Sequence, residues 1–244
     1  MQCKFTVSDM TLEETMEALK AMGSEQIRNV MKAHQAPDHH MGVKIGDMKT
    51  LVKKIKKDHE LSMALFRTGI SDAQYMAALI ADEKKISREE LREWAETASW
   101  HMISEYSVPW IAAESPYGLE LGREWIDSNN PQIECSGWVC LTCVAALLPD
   151  RELPLGFYEE CLVRIKNTIH SQNDRVRYCM NNFVIGVGGS IAALNEKAKA
   201  IAESIGKVHV NMGGTACKVP DAITYISKIE KAGKLGAKRK MVRC

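Results

Sequence analysis

Apolar residues recur along almost the whole chain at helical spacing. Ile45, Met48, Leu51, Val52 and Ile55 form one stripe, while Lys49, Lys53, Lys54, Lys56 and Lys57 largely fill the other side. Tyr158, Cys161, Leu162, Ile165 and Ile169 repeat the pattern, and so do Leu194, Ala198, Ile201, Ala202 and Ile205. Start signals agree with the stripes. Thr11-Leu-Glu-Glu14 and Ser87-Arg-Glu-Glu90 predict capping boxes, whose side chains satisfy the free amides of a first turn. Ser115-Pro116 and Val219-Pro220 predict two further starts with proline in the first turn. The β-branched runs Phe183–Val187 and Lys207–Val210 lack the alternation and hairpin turn of a sheet. The first continues a helical stripe, and the second predicts a connection ended by Gly213-Gly214.

The fold class expected is therefore all-α. Helices of ~10–16 residues joined by short turns recur as pairs near the ~40-residue period of HEAT-type repeats. The rhythm predicts one helical-repeat solenoid over residues 1–225 followed by a basic tail over 226–244; an irregular helical bundle is the alternative. A stack of helix pairs buries each stripe against its neighbours and leaves one concave face for a long ligand.

Composition narrows the classes. Hydrophobic residues make up 45% and charged residues 26%, the balance of a globular chain. No apolar run approaches the ~20 residues of a membrane span, and Met1-Gln-Cys-Lys-Phe5 has no basic region leading an apolar core. The expectation is a cytoplasmic chain with no membrane contact. Its eight cysteines are scattered among apolar residues, as buried reduced thiols are. Cys140 and Cys143, with Cys135 nearby, lack a second Cys pair, and the loop holding His34, Asp38, His39 and His40 has no fixed ligand spacing. Neither a metal nor an organic cofactor is expected. The net charge of +1 hides an asymmetry: residues 228–243 hold seven Lys or Arg and one acid, Glu230, on an otherwise mildly acidic chain. Such a tail suits a polyanionic partner.

The order of motifs between residues 42 and 106 is more specific. Gly42-Val43-Lys44 opens the basic helix, His59–Gly69 forms a leucine-rich helix ending in a turn, Ala77–Asp82 follows, and Ser99-Trp100-His101-Met102-Ile103-Ser104-Glu105 closes the series. With Asn181-Asn182-Phe183, Met212–Pro220 and Lys238–Cys244, this order resembles the DNA alkylation repair family of HEAT-like proteins. The resemblance implies a solenoid that holds duplex DNA, alkylated or structurally distorted, by its backbone. In glycosylase members it also implies excision of N3- or N7-alkylated purines. An alkylated purine is cationic, so aromatic faces and a carboxylate attract it, and the carboxylate can stabilise the departing sugar cation.

Carried onto this chain, the resemblance makes Glu105 the candidate catalytic carboxylate, with Trp100, His101, Trp138 and Phe183 as candidate substrate-binding residues. Arg175 and Arg177, at a helix start, and Lys238, Arg239 and Lys240, in the tail, are candidates for gripping the DNA backbone. Two departures stand out. His101 occupies the position of a second tryptophan, and no Lys or Arg occurs between Arg123 and Arg151, where the family carries a basic residue. Three functions therefore stay open: an alkylpurine glycosylase, a non-catalytic binder of damaged or branched DNA, and a protein-interaction scaffold.

Overall fold

The structure, a computed structural model, describes residues 10–243; Met1–Phe5 and Cys244 lie outside them. Thirteen α-helices follow one another there. They are α1 (Leu12–Met22), α2 (Glu25–Ala33), α3 (Ile45–Ile55), α4 (His59–Arg67), α5 (Ser71–Ile80), α6 (Arg88–Thr97) and α7 (Val108–Glu114), then α8 (Gly118–Trp125), α9 (Pro131–Leu147), α10 (Leu155–Thr168), α11 (Asp174–Ser190), α12 (Asn195–Ile205) and α13 (Ala222–Lys231). The described residues contain no strand, only a single bridge between Gly23 and Val43, and no helix long and apolar enough to cross a membrane.

Both expected capping boxes form, at Thr11 on α1 and Ser87 on α6. Asn130, Asn173 and Asp221 cap α9, α11 and α13 more simply, each side chain accepting from a first-turn amide. Ser115 differs from expectation. It terminates α7, its hydroxyl accepts from the Tyr117 amide, and α8 begins only at Gly118.

α5, α7, α9, α11 and α13 pack in succession as an inner row, with α4, α6, α8 and α12 laid against it and α10 on α12. Close approach within the row depends on glycine. A Cβ on Gly188 of α11 would lie 2.7 Å from the Ile226 side chain of α13. The core is aromatic where layers meet: Phe66 stacks on Trp94 at 4.0 Å, and Phe183 stacks on Tyr158 at 5.9 Å while meeting Trp138 edge-on.

The expected boundary at residue 226 falls inside α13, and the segment after it is anchored to the body. It runs along the C-terminal ends of the inner row. The Gly236 amide donates to the Gly189 carbonyl of α11, and the Arg239 amide to Ala146 of α9. Lys238 Nζ donates to the Ala145 and Ser190 carbonyls and pairs with Asp150. Arg243, its side chain only 6% exposed, donates to the Ala78 and Ala81 carbonyls at the end of α5 and pairs with Glu83 and Glu114. Cations placed against unsatisfied helix carbonyls are stabilised by hydrogen bonds and by the helix dipole.

Glu83 reports on this anchor. Burial opposes its ionisation, but Lys57, its own amide and Arg243 together bring it down to about 2. Its contribution to stability is therefore complete above the ordinary carboxylate range and is lost as pH falls toward 2. Arg243→Met is expected to cost about 3 kcal/mol, because it strands buried carboxylates. Urea unfolding at pH 7 reads that loss, and the same titration repeated toward pH 3 should show the deficit shrinking.

Candidate functional site

The turn that carries Glu105 is not α-helical. Residues Ile103–Ser107 form a single π-helical turn, closed by the Val108 amide donating to the Ile103 carbonyl. Pro109 accounts for it. Proline offers no amide to the Glu105 carbonyl four residues earlier, and its ring crowds that carbonyl, so the turn widens. The widened turn directs Glu105 inward, where it is 3% exposed.

There it meets Arg175 from the first turn of α11. Arg175 Nε donates to Glu105 Oε1 at 2.7 Å and Nη2 donates to Oε2, a two-pronged pair. Burial pushes the Glu105 carboxyl up and Arg175 pulls it back down, the net direction being upward. Burial lowers Arg175, but its bonds to Glu105 outweigh that and hold the guanidinium above its ordinary value. Cys135 and Cys179 lie beside the pair, with ligand atoms of all three residues within 4.8 Å of one another. Burial raises the Cys179 thiol well above its ordinary value. A buried protonated thiol and a carboxylate already held by a guanidinium are poor ligands for a metal cation.

A narrow cleft of about 120 Å³ opens beside the pair, lined by His101, Gln132, Asn173 and Arg175 among others. Burial, then Arg175 and His34, depress the His101 imidazole to about 3, so it is neutral at pH 7. Trp100 is 9% exposed, donates from Nε1 to the His34 carbonyl at 3.2 Å and meets the His101 ring edge-on. The structure thus brings Trp100, His101, Glu105 and Arg175 together.

It does not bring Trp138 and Phe183 to this surface. Both are completely buried, so the expectation that they contact substrate is corrected: they are core aromatics. Trp138 Nε1 donates to Glu134, and the Arg164 guanidinium lies 5.2 Å from its ring centroid. Two cations missing from the local sequence therefore arrive from other helices, Arg164 from α10 and Arg175 from α11. Arg177 is engaged by the Gln172 and His209 carbonyls. Lys238 is engaged at the opposite ends of the row, as described above, whereas Arg239 is held there by its backbone amide and its side chain is exposed. Lys240 is exposed. The expectation that Arg175, Arg177 and Lys238 reach a DNA backbone meets internal partners at all three.

The connection between α12 and α13 passes over this region. Besides the bond from Arg177 to His209, Asn181 Nδ2 donates to the Pro220 carbonyl at 2.9 Å. At Gly213, with φ of +68°, a Cβ would sit 3.0 Å from the Ala33 carbonyl at the end of α2. The last repeat therefore touches the first across the face that holds Trp100.

Residues 15–226 match the family model described as DNA alkylation repair enzyme. An uncharacterised protein of Listeria monocytogenes is 33% identical over 225 residues, covering 90% of this chain and 97% of its own length, and one of Listeria innocua matches to the same extent. A solved structure superposes with a TM-score of 0.88 at 33% identity, covering 96% of this chain and all of the other. That structure is described as a new family of proteins related to the HEAT-like repeat DNA glycosylases, with affinity for branched DNA structures.

Two outcomes test the site's electrostatics. Glu105→Gln should destabilise the protein by on the order of 2 kcal/mol, since a half-buried guanidinium loses its charged partner. The double change Glu105→Leu with Arg175→Met should cost less than the sum of the single changes, and a double-mutant cycle in urea measures the difference. His101, protonated in the unfolded chain below about 6.5 but held neutral when folded, should cost stability as pH falls from 6.5 toward 3. His101→Gln should flatten that part of the stability profile.

Proposed function

The chain belongs to the DNA alkylation repair family, and from that premise we propose that it binds branched or otherwise distorted DNA without excising a base. It has the family's HEAT-like helical-repeat fold. The observation that carries the reading is the pair between Glu105 and Arg175. An excising carboxylate must face a cationic sugar or purine, or orient a water molecule against it. Here both carboxylate oxygens accept from the chain's own guanidinium. The attraction that would hold an alkylated purine is already satisfied internally.

The surroundings support the same conclusion. Trp138 and Phe183 present no face to a substrate. Binding remains well supported, because the related structure with affinity for branched DNA aligns over all of its length. Cations free for phosphate contact are drawn from exposed residues such as Lys44, Lys207, Lys218 and Lys240.

Fluorescence anisotropy with labelled three-way, four-way and linear DNA of equal length tests the reading. The branched forms should bind at least tenfold tighter, and log K should fall linearly with log salt because phosphate contacts release counterions. Purine release from N-methylated duplex at excess protein should not exceed the spontaneous rate. Release that disappears in a Glu105→Gln variant still folded by circular dichroism would establish excision instead.

A further inference from the structure

α2 is an incomplete structural element. Ile27, Val30 and Met31 give it an apolar face, yet it contains no buried residue, and Val30 is 48% exposed. The helix is tied by the Ser24 amide on the Gly42 carbonyl, by Arg28 Nη1 donating to the Met41 carbonyl, and by the His34 carbonyl under Trp100 Nε1. Between those ties its apolar face borders a cavity of about 470 Å³, whose far wall is Met48, Tyr75, Trp100 and Ile103. A volume of this size lies within the ~300–1,000 Å³ range of ligand pockets.

We propose that this cavity receives one unpaired, uncharged nucleobase from branched DNA; the proposal rests on the DNA-binding reading above. The walls suit a flat ring. Trp100 and Tyr75 contribute aromatic surface, and the thioethers of Met31 and Met48 adapt to a ring's face or edge. His34, Lys44 and Ser71 add polar groups to the lining, the Ser71 hydroxyl being paired with that of Ser99. Asp72 is also in the wall, but its carboxylate accepts from the Met41 and Val43 amides at 2.5 and 2.8 Å. A carboxylate held in that way confers no strong preference for a cationic base. Location supports the assignment too. Trp100 forms part of the cavity, and the next residue, His101, lines the cleft beside Glu105. A branch point supplies bases that have no pairing partner, so extrusion costs least there.

The experiment compares two three-way junctions, one carrying a single unpaired adenine at the branch and the other an abasic residue in its place. By anisotropy at fixed salt, the adenine junction should bind about tenfold tighter, the scale of one base stacking on aromatic side chains. Val30→Trp places an indole in the cavity mouth, and in that variant the difference between the two junctions should disappear. A 5-iodouracil at the branch should crosslink on irradiation to a residue of the cavity wall. Equal affinity for the two junctions would overturn the proposal and leave the α2 face to another partner, such as a protein helix. A preference that survives Val30→Trp, or a crosslink mapping elsewhere, would also overturn it. Failure of both junctions to bind better than linear duplex would instead refute the branched-DNA reading on which it rests.

Discussion

The structure depends on satisfying the two ends of a row of parallel helices. α5, α7, α9, α11 and α13 run side by side, so their free carbonyls accumulate at one edge and their free amides at the other. Packing cannot satisfy either edge, because neighbouring helices present the same end. The chain meets the carbonyl edge with its last residues, where Lys238 and Arg243 reach carbonyls at the ends of α9, α11 and α5. At the amide edge, Asn130, Asn173 and Asp221 act as caps. A charge-rich C-terminus that suggests a nucleic-acid arm is thereby used, in good part, to hold the repeats together.

Much of the fold was legible because helical period and capping are local. The stripes through Met48, Leu51 and Ile55, and through Tyr158, Cys161 and Ile165, are buried as their spacing requires. The absence of a sheet in the described residues follows from the absence of alternation. The tail's anchoring was not legible because charge alone does not say whether a cation meets water, a phosphate or a carbonyl. Lys238 and Arg243 find acceptors on helices some 50 to 165 positions earlier in the chain, and no window of sequence contains that information.

The site was legible in part for the same reason. Trp100, His101 and Glu105 share one turn, so a local motif places them together. Trp138 and Phe183 sit on long helices at core spacing, and aromatic residues in such positions pack more often than they bind. The decisive partner, Arg175, lies 70 residues beyond Glu105. Its approach follows from the register of α11 against the turn before α7, which depends on the glycine-mediated packing of the row. The one local signal was Pro109, which implies an irregular turn at Glu105.

The Glu105–Arg175 pair also gives the carboxylate at this family position a structural role. A cation in the first turn of α11 sits against the positive end of that helix, which disfavours it. Glu105 relieves this cost, and Arg175 in turn relieves the cost of burying Glu105. Each residue makes the other tolerable, so neither is readily lost alone. The carboxylate is thereby a structural tie between the turn before α7 and α11. On the DNA-binding reading proposed above, phosphate contact then falls to surfaces outside that tie, where lysines such as Lys207 and Lys218 are exposed.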